Sequence, residues 1–342
     1  MDGQITARKI LKSPFVVCLW VSDQCNLECR YCYAMPFSGN MMDGRRMLTL
    51  ADELIELEVF DVTIAGGEPF LNPDIFELID RLVSGGMNLG VLSNGTTLNS
   101  KIRRKLVDVV RGRENFLLQI SLDGLNPETH DLTRGKGSRT IENLDRLCEE
   151  TDLRLQIASV INAYNIDEVP QLINKYYPRV KRYHFMNLQR TDMSLHNNDM
   201  FISEKRNKQF WVDLEEYMKS MPKDILVTGL NLMRLMHRME DEPERYCPNS
   251  SFTCRSCTAG VTHVEIKSDF TVIGCDIAKD YTVMGNVAER SLKEVWNSPE
   301  AEVVRNYPFP ACYLVKEPDG KCLADSLPEE LKDYHKQVLS AV

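Results

Sequence analysis

The sequence contains no hydrophobic run long enough to cross a membrane. Its longest apolar stretches, such as residues 15–20, fall far short of the roughly 20 residues that a membrane-spanning helix needs. The first 14 residues also lack the apolar segment of a secretory signal peptide. We therefore expect a cytoplasmic protein that has no membrane partner.

A surplus of positive charge is missing as well. Lys and Arg number 41 against 50 Asp and Glu, which gives a formal net charge of −9. Binding to a nucleic-acid backbone requires a basic surface, so we expect no nucleic-acid partner. Hydrophobic residues make up 43% of the chain and charged residues 27%, which is ordinary for a globular protein and excludes a disordered or collagen-like chain.

Cysteine, in contrast, is abundant and clustered. There are 11 cysteines, an odd number that cannot pair completely, and a cytosolic compartment keeps thiols reduced. Three lie close together near the start, at Cys25, Cys29 and Cys32. Six more lie in the last third of the chain: Cys247, Cys254, Cys257, Cys275, Cys312 and Cys322. Clustered intracellular cysteines indicate metal ligands.

Residues 15 to about 190 alternate short apolar segments with amphipathic ones. The apolar segments are rich in Val, Ile, Leu and Phe, as strands buried on both faces are, and lie at 15–21, 61–65, 88–93, 116–122, 154–161 and 182–187. The amphipathic segments predict helices at 45–58, 73–85, 99–112, 140–151 and 166–177. Six strands alternating with helices pair in parallel but are too few for a closed eight-stranded barrel. We expect an α/β fold, a partial (β/α)6 TIM-like barrel.

The pattern changes after about residue 190. Residues 203–221 predict a helix, residues 230–240 a second one, and the charged tail after residue 326 a third. Residues 246–322 have few helix signals and are rich in Cys, Gly, Asp and Pro. We divide the chain into an N-terminal extension, a core barrel with a bridging helix, and a small C-terminal α+β domain, with the bounds 1–14, 15–230 and 231–342.

The first cysteine group has the spacing Cys25-x3-Cys29-x2-Cys32 and directly follows the first predicted strand. Three thiolates on one loop favour zinc, copper(I) or an iron–sulfur cluster. A structural zinc ion takes four ligands, and the nearest histidine is His130, so a zinc site here needs a distant ligand. In a cubane cluster, three cysteines leave one iron open to a chelating ligand.

Residues 25–34, CNLECRYCYA, resemble the CxxxCxxC signature of the radical S-adenosylmethionine (SAM) enzymes. The resemblance implies that Cys25, Cys29 and Cys32 hold a 4Fe–4S cluster whose fourth iron is chelated by the amino and carboxylate groups of SAM. Tyr31 occupies the family's aromatic position, next to the adenine.

Further motifs match this family in order along residues 14–190. Gly66-Gly67-Glu68-Pro69 resembles the GGEP motif that contacts the SAM amino group. The ends of the next three strands, where barrel active sites lie, supply the residues that the family uses for ribose, carboxylate and adenine contacts: Ser93, Asn94, Ser121, Asp123, Ile161 and Asn162. Arg134 resembles the arginine that pairs with the SAM carboxylate. No catalytic acid or base is identified.

The last third resembles SPASM, a C-terminal extension that binds auxiliary 4Fe–4S clusters, or its shorter form Twitch. The matching parts are a CxAG motif, a strand pair ending at Cys275, a GNV turn at 285–287 and the sequence SLKEVWN at 291–297. Phe270 stands where the family's hairpin has a glycine. Cysteines are few after residue 297, so we expect one auxiliary cluster, held by Cys254, Cys257 and Cys275 with one of Cys312 and Cys322. Spacing alone suits a zinc ribbon equally well, but the neighbouring barrel favours iron–sulfur.

The resemblance implies an oxidoreductase or maturase that cleaves SAM reductively and uses the resulting 5′-deoxyadenosyl radical to remove a hydrogen atom from a substrate. The electron comes from a flavodoxin or a low-potential ferredoxin. We expect a peptide or protein substrate. Radical oxidation or rearrangement of a small molecule, either a sugar or a cofactor precursor, is the alternative. A non-enzymatic iron–sulfur scaffold or electron carrier would have no use for Glu68, Asp123 or Arg134.

Overall fold

A computed structural model describes residues 11–34, 38–188, 194, 196–229, 259–276 and 282–306. The core strands are β1 (Val16–Trp20), β2 (Asp61–Ala65), β3 (Asn88–Ser93), β4 (Phe116–Ser121), β5 (Leu155–Ile161), β6 (Arg182–Asn187) and β7 (Leu226–Thr228). The helices among them are α1 (Gly44–Glu56), α2 (Ile75–Ser84), α3 (Ser100–Val109), α4 (Pro127–Asp131), α5 (Gly137–Glu150), α6 (Val169–Tyr176) and α7 (Glu204–Ser220).

The core strands lie side by side in sequence order, and every neighbouring pair from β1 to β7 is parallel. The predicted partial barrel is therefore confirmed. All six predicted core strands and the helices between them are present, and the predicted helix at 203–221 is α7. The predicted helices at 230–240 and after residue 326 lie outside the described residues.

Helix packing on the sheet follows the apolar spacing of the sequence. In α2, Ile75, Leu78, Ile79 and Leu82 are at most 1% exposed, and together they cover the sheet. Gly85 ends this helix, and a Cβ there would clash with the side chain of Ile55 in α1. The residue that stops α2 is thus also the one that lets α1 and α2 approach each other.

The C-terminal part joins the same sheet. β8 (His263–Ile266), β9 (Thr271–Ile273) and β10 (Val283–Asn286) pair antiparallel with one another, and β8 pairs in parallel with β1. The strand order is β10-β9-β8-β1-β2-β3-β4-β5-β6-β7, so one sheet runs through both parts of the molecule. Two helices follow, α8 (Leu292–Trp296) and α9 (Pro299–Asn306).

Side chains reinforce this junction on the helical side of the sheet. Arg46 of α1 donates to the carbonyl oxygen of Val287 at 2.6 Å, and Glu53 accepts from the backbone N–H of Leu292 at 2.6 Å. The fully buried Trp296 donates its indole N–H to the carbonyl of Leu11 at 2.8 Å. Among the described residues, no helix has the length and apolar character needed to span a membrane.

Candidate functional site

The first cysteine group lies on the loop that leaves the C-terminal end of β1. Cys29 is buried, whereas Cys25 and Cys32 are half-buried, and the backbone N–H of Cys32 donates to the carbonyl of Cys29 at 3.0 Å. Within the described ranges, no three His, Cys, Asp or Glu side chains are grouped so as to hold a metal ion. The fit to an iron–sulfur cluster therefore rests on the chemistry of the donors and not on their grouping, because three thiols on one loop are the donor type that such clusters use.

Two neighbouring side chains point hydrogen-bond donors at these thiols. Asn94 Nδ2 lies 3.8 Å from the sulfur of Cys25, and Arg134 Nη1 lies 4.0 Å from the sulfur of Cys29. Burial raises the pKa of Cys29 to about 11, while the charge of Arg134 acts in the opposite direction. Both donors favour the thiolate, which is the form that binds iron.

The glycines of the GGEP motif let this loop approach β2 closely. Gly66 has φ +135°, and a Cβ there would clash with the carbonyl oxygen of Ser22. At Gly67 a Cβ would clash with the carbonyl of Gln24. The backbone N–H of Gly67 donates to Ser22 at 2.7 Å, so the motif fastens the cysteine loop to the barrel. Pro69 opens the short 3₁₀ turn Pro69–Leu71 that follows.

Glu68 is fully buried and connects the ends of β2 and β3. Its carboxylate accepts from the hydroxyl of Ser93 at 2.9 Å and from the backbone N–H of Asn94 at 2.8 Å. Phe70 N and the Thr97 hydroxyl donate to the same group at 3.3 and 3.4 Å. Burial raises the pKa of Glu68 to about 7 although these hydrogen bonds oppose the shift. Glu68, Ser93 and Asn94, all predicted from the sequence as SAM-binding residues, therefore contact one another. In the structure, the hydroxyl of Ser93 donates to Glu68.

Asp123 is the corresponding buried carboxylate after β4. It accepts from Arg134 Nε at 2.9 Å, from the Thr133 hydroxyl at 3.2 Å and from the backbone N–H of Val160 at 3.0 Å. The hydroxyl of Tyr31 also donates to it. The guanidinium of Arg134 lies over the ring of Tyr31, 5.3 Å from its centroid. Asp123 thus holds the arginine and the aromatic residue of the cysteine loop in place.

His130 was not assigned a role from the sequence, yet it lies directly behind Asp123. Its Nδ1 accepts from the backbone N–H of Asp123 at 3.2 Å, and its Nε2 is buried without a hydrogen-bond partner among the described residues. Burial lowers the pKa of His130 to about 4, so the ring is neutral at physiological pH. A neutral ring leaves Arg134 as the positive charge beside Asp123.

The other residues predicted to contact SAM are Ser121, Ile161 and Asn162, and they differ in their burial and in their hydrogen bonds. Ser121 is half-buried at the end of β4, and Ile161 is fully buried in the core. Asn162 bonds within its own turn, since its side chain donates to the carbonyl of Val160 at 2.9 Å and accepts from Tyr164 N at 3.0 Å. The assignment of these residues to SAM remains a prediction.

Arg30 was missed by the sequence reasoning. Its guanidinium bonds both carboxylate oxygens of Asp199 at 2.9 Å, and its Nε donates to Asn197 Oδ1 at 3.0 Å. The side chain of Asn197 returns a hydrogen bond to the carbonyl of Arg30 at 2.9 Å. These hydrogen bonds connect the cysteine loop to the segment that follows β6. The signal available in the sequence was an arginine between two of the clustered cysteines.

Of the second cysteine group, the structure describes Cys275, which is half-buried just after β9. Its backbone N–H donates to the hydroxyl of Thr282 at 3.1 Å, and that hydroxyl donates back to the carbonyl of Cys275. The predicted strand pair and the helix at SLKEVWN are present, and Ser291 and Glu294 form a capping box at the start of α8. The predicted ligands outside the described residues are Cys254, Cys257, Cys312 and Cys322.

Comparison with known proteins gives matches over both cysteine-bearing regions. The model of the radical SAM superfamily matches residues 21–175, and the model of SPASM, an iron–sulfur cluster-binding domain, matches residues 257–322. The mycofactocin maturase MftC of Mycolicibacterium smegmatis is 31% identical over 171 residues, which are 47% of this chain and 41% of that protein. The chain thus spans less than half the length of this relative.

A second relative matches over a longer stretch. The Fe-coproporphyrin III synthase of Methanosarcina barkeri is 26% identical over 318 residues, which are 86% of this chain and 76% of that protein. Among solved structures, SuiB of Streptococcus suis bound to the precursor peptide SuiA superposes with a TM-score of 0.70 at 17% identity. That alignment covers 87% of this chain and 68% of SuiB, which shows a shared fold.

Proposed function

Because the chain belongs to the radical SAM superfamily and carries a C-terminal iron–sulfur cluster-binding domain, we propose that it is a radical enzyme that modifies a peptide or protein. The observation that carries this proposal is the arrangement around Cys29. A buried Asp123 holds Arg134, and Arg134 in turn reaches the cysteine sulfur at the C-terminal ends of parallel strands. Barrel enzymes place their chemistry at this end.

The chain's own residues hold and shield the reacting groups. When bound, the reduced cluster and SAM supply a 5′-deoxyadenosyl radical that removes a hydrogen atom from the substrate. Cys25, Cys29 and Cys32 would ligate the cluster, and the guanidinium of Arg134, fixed through Nε by Asp123, is suited to bind a carboxylate. Glu68 and Asp123, which are buried beside the cysteine loop, are themselves shielded from water. A flavodoxin or ferredoxin in the cytoplasm is the proposed electron donor.

A peptide substrate is supported by the relatives. One relative is named as a maturase, and one structural neighbour was solved with a precursor peptide bound. The SPASM match is a second support, because it places an auxiliary cluster site in the same chain and a second cluster can accept an electron or bind a substrate group.

A haem precursor is the second candidate substrate. It is favoured by one observation, that the similarity to Fe-coproporphyrin III synthase runs through 86% of the chain whereas the similarity to the maturase stays within 47% of it. The two candidates share the barrel chemistry and differ in the molecule that fills the barrel mouth.

Anaerobically reconstituted protein, reduced with dithionite and given SAM, should release 5′-deoxyadenosine, detected by liquid chromatography and mass spectrometry. The Cys29→Ala variant is the control and should release none. Adding a short precursor peptide encoded beside the gene should yield a peptide of altered mass. If iron coproporphyrin III changes mass instead, the second candidate is correct. A reduced, cluster-loaded protein that cleaves no SAM would contradict both.

A further inference from the structure

The strand that leads into Cys275, β9, is joined through β8 to β1, the strand that leads into the first cysteine group. β8 pairs with β1 so that Cys18 lies opposite Glu265 and Leu19 opposite Ile266. Trp20 ends β1, directly before the cysteine loop, and β9 leads into Cys275. The first cysteine group and Cys275 therefore follow strands of one sheet that are separated by a single strand, β8.

Four side chains connect the end of β1 to the backbone next to Cys275. We call these residues the hairpin anchor: Trp20, Glu265, Lys267 and Asp276. The indole N–H of Trp20 donates to Glu265 Oε2 at 2.8 Å. Lys267 Nζ lies 3.1 Å from the centroid of the Trp20 ring and 2.6 Å from Asp276 Oδ1. The backbone N–H of Asp276 donates to Glu265 Oε1 at 3.1 Å. Every member contacts at least one other, and Asp276 is the residue next to Cys275.

Burial makes these contacts mutually dependent. Trp20 is 3% exposed, and the side chains of Glu265, Lys267 and Asp276 are 14%, 21% and 9% exposed. A carboxylate with so little access to water needs a charged partner, and an aromatic face stabilises a desolvated ammonium group. Removal of Lys267 would leave Asp276 buried without this partner and would remove one of the contacts that hold the backbone at Cys275.

The anchor also touches the first cysteine loop. The ring of Tyr33, the residue after Cys32, packs edge-on against Trp20 with 5.8 Å between ring centroids. Trp20 is thus in contact with the neighbour of a first-group cysteine on one side and, through Lys267, with the neighbour of Cys275 on the other. One indole ring connects both cysteine groups.

We propose that the hairpin anchor is a positioning device for the auxiliary cluster. Lys267, through Asp276 and Trp20, fixes the backbone of Cys275 at a set distance from the first cysteine loop. This inference rests on the proposed role of Cys275 as an auxiliary-cluster ligand. It assigns Lys267 a role in cluster retention, although Lys267 is not itself a ligand.

The test is to measure iron per chain and the electron paramagnetic resonance (EPR) spectrum of reduced, full-length Lys267→Met. We expect the iron content to fall from about eight to about four per chain, because one of two 4Fe–4S clusters is lost. The signal of the first cluster should remain and should still change when SAM is added, which shows that the barrel has folded. Lys267→Arg should keep both clusters, because a guanidinium group can both stack on Trp20 and pair with Asp276.

Two control variants distinguish the proposed role of Lys267 from the assignment of Cys275 as a ligand of the auxiliary cluster. Lys181→Met breaks a half-exposed ion pair with Asp224, far along the sheet at β6, and should leave the iron content unchanged. Cys275→Ala should lose the same cluster as Lys267→Met. If Cys275→Ala loses that cluster and Lys267→Met keeps it, the anchor proposal is wrong while the ligand assignment stands. Full iron in Cys275→Ala overturns the ligand assignment and the anchor with it.

Discussion

The charge of Asp123 is compensated by Arg134 in a pair that water barely reaches. The carboxylate is fully buried and the arginine side chain is 12% exposed. Asp123→Asn keeps the shape but leaves Arg134 without its counter-charge, so we expect the free energy of unfolding to fall by roughly 3 kcal/mol. Denaturant titration under anaerobic conditions measures this.

Asp167→Asn is the matched control for this substitution. Asp167 also pairs with an arginine, Arg206, but its side chain is 83% exposed, so its loss should cost much less. Equal losses in the two variants would mean that the Asp123 pair contributes no more than a solvated one.

Glu68 should make stability depend on pH in the protein without SAM. Burial raises its pKa to about 7, so the folded state holds this proton more tightly than the unfolded state does. The stabilisation is complete below the ordinary pKa of a glutamate and is lost as the pH rises through about 7, which amounts to roughly 3 kcal/mol.

Glu68→Gln cannot titrate, so the free energy of unfolding of the wild type, relative to that of this variant, should fall as the pH rises from 5 to 8. Unfolding midpoints at a series of pH values would show it. A difference that stays constant across that range would refute the raised pKa.

At the scale of elements, Arg30 connects the cysteine loop to the segment that follows β6. Its pair with Asp199 is partly exposed, so Arg30→Met should change global stability little. The same substitution removes the side-chain contacts of Arg30 with Asp199 and Asn197 and leaves the loop more weakly held to the segment beyond β6. Iodoacetamide should therefore alkylate Cys25, Cys29 and Cys32 several-fold faster in the cluster-free protein.

Arg30→Lys should give an intermediate rate, because one ammonium nitrogen can keep the contact that Nη2 makes with Asp199 but cannot also replace the Nε contact with Asn197. If both variants react at the wild-type rate, the Arg30 contacts do not restrain the loop.

The elements with a long apolar period could be predicted from the local pattern, and the short β8, β9 and α8 from the family resemblance, whereas α4 and β7 could not be predicted. α4 has five residues and opens on Pro127, which is too short for a helical period to show. β7 has three residues, and its first, Leu226, is 45% exposed. The pairing of β8 with β1 joins residues about 250 positions apart, which no local pattern encodes. The partners of Asp123 were likewise hidden, because they come from three separate segments.

Phe270 is a departure from the family pattern that the structure explains in part. It adopts φ +67°, in the left-handed region where the family's glycine carries no steric penalty. The residue is 8% exposed, so hydrophobic burial of its side chain offsets the backbone strain. The hairpin keeps the geometry that the glycine would adopt freely, and Phe270 fills space that a glycine would leave empty.

At the scale of the whole molecule, the number of clusters is the quantity to measure. The two cysteine groups predict about eight irons per chain in protein isolated anaerobically. Replacement of Cys25, Cys29 and Cys32 by Ala should abolish 5′-deoxyadenosine formation. It should leave about four irons per chain, because the hairpin anchor remains intact.

Iron analysis and an activity assay on the same sample check both statements. About four irons together with stoichiometric zinc in the unmutated protein would contradict the auxiliary cluster, and about twelve would reveal a second auxiliary cluster. If Cys312→Ala and Cys322→Ala both leave the auxiliary cluster unchanged, that cluster has an open iron that can bind substrate.

The pairing of β8 with β1 also protects an edge. β1 has the sequence VVCLW, and without β8 one whole side of it would present unpaired N–H and C=O groups to solvent beside apolar side chains. A chain cut after residue 229 would keep α1 to α7 and still expose unpaired backbone groups along β1 with which other strands can pair. Such a fragment should form aggregates in size-exclusion chromatography where the full chain does not. The C-terminal hairpin therefore covers the edge of the barrel sheet and prevents its self-association.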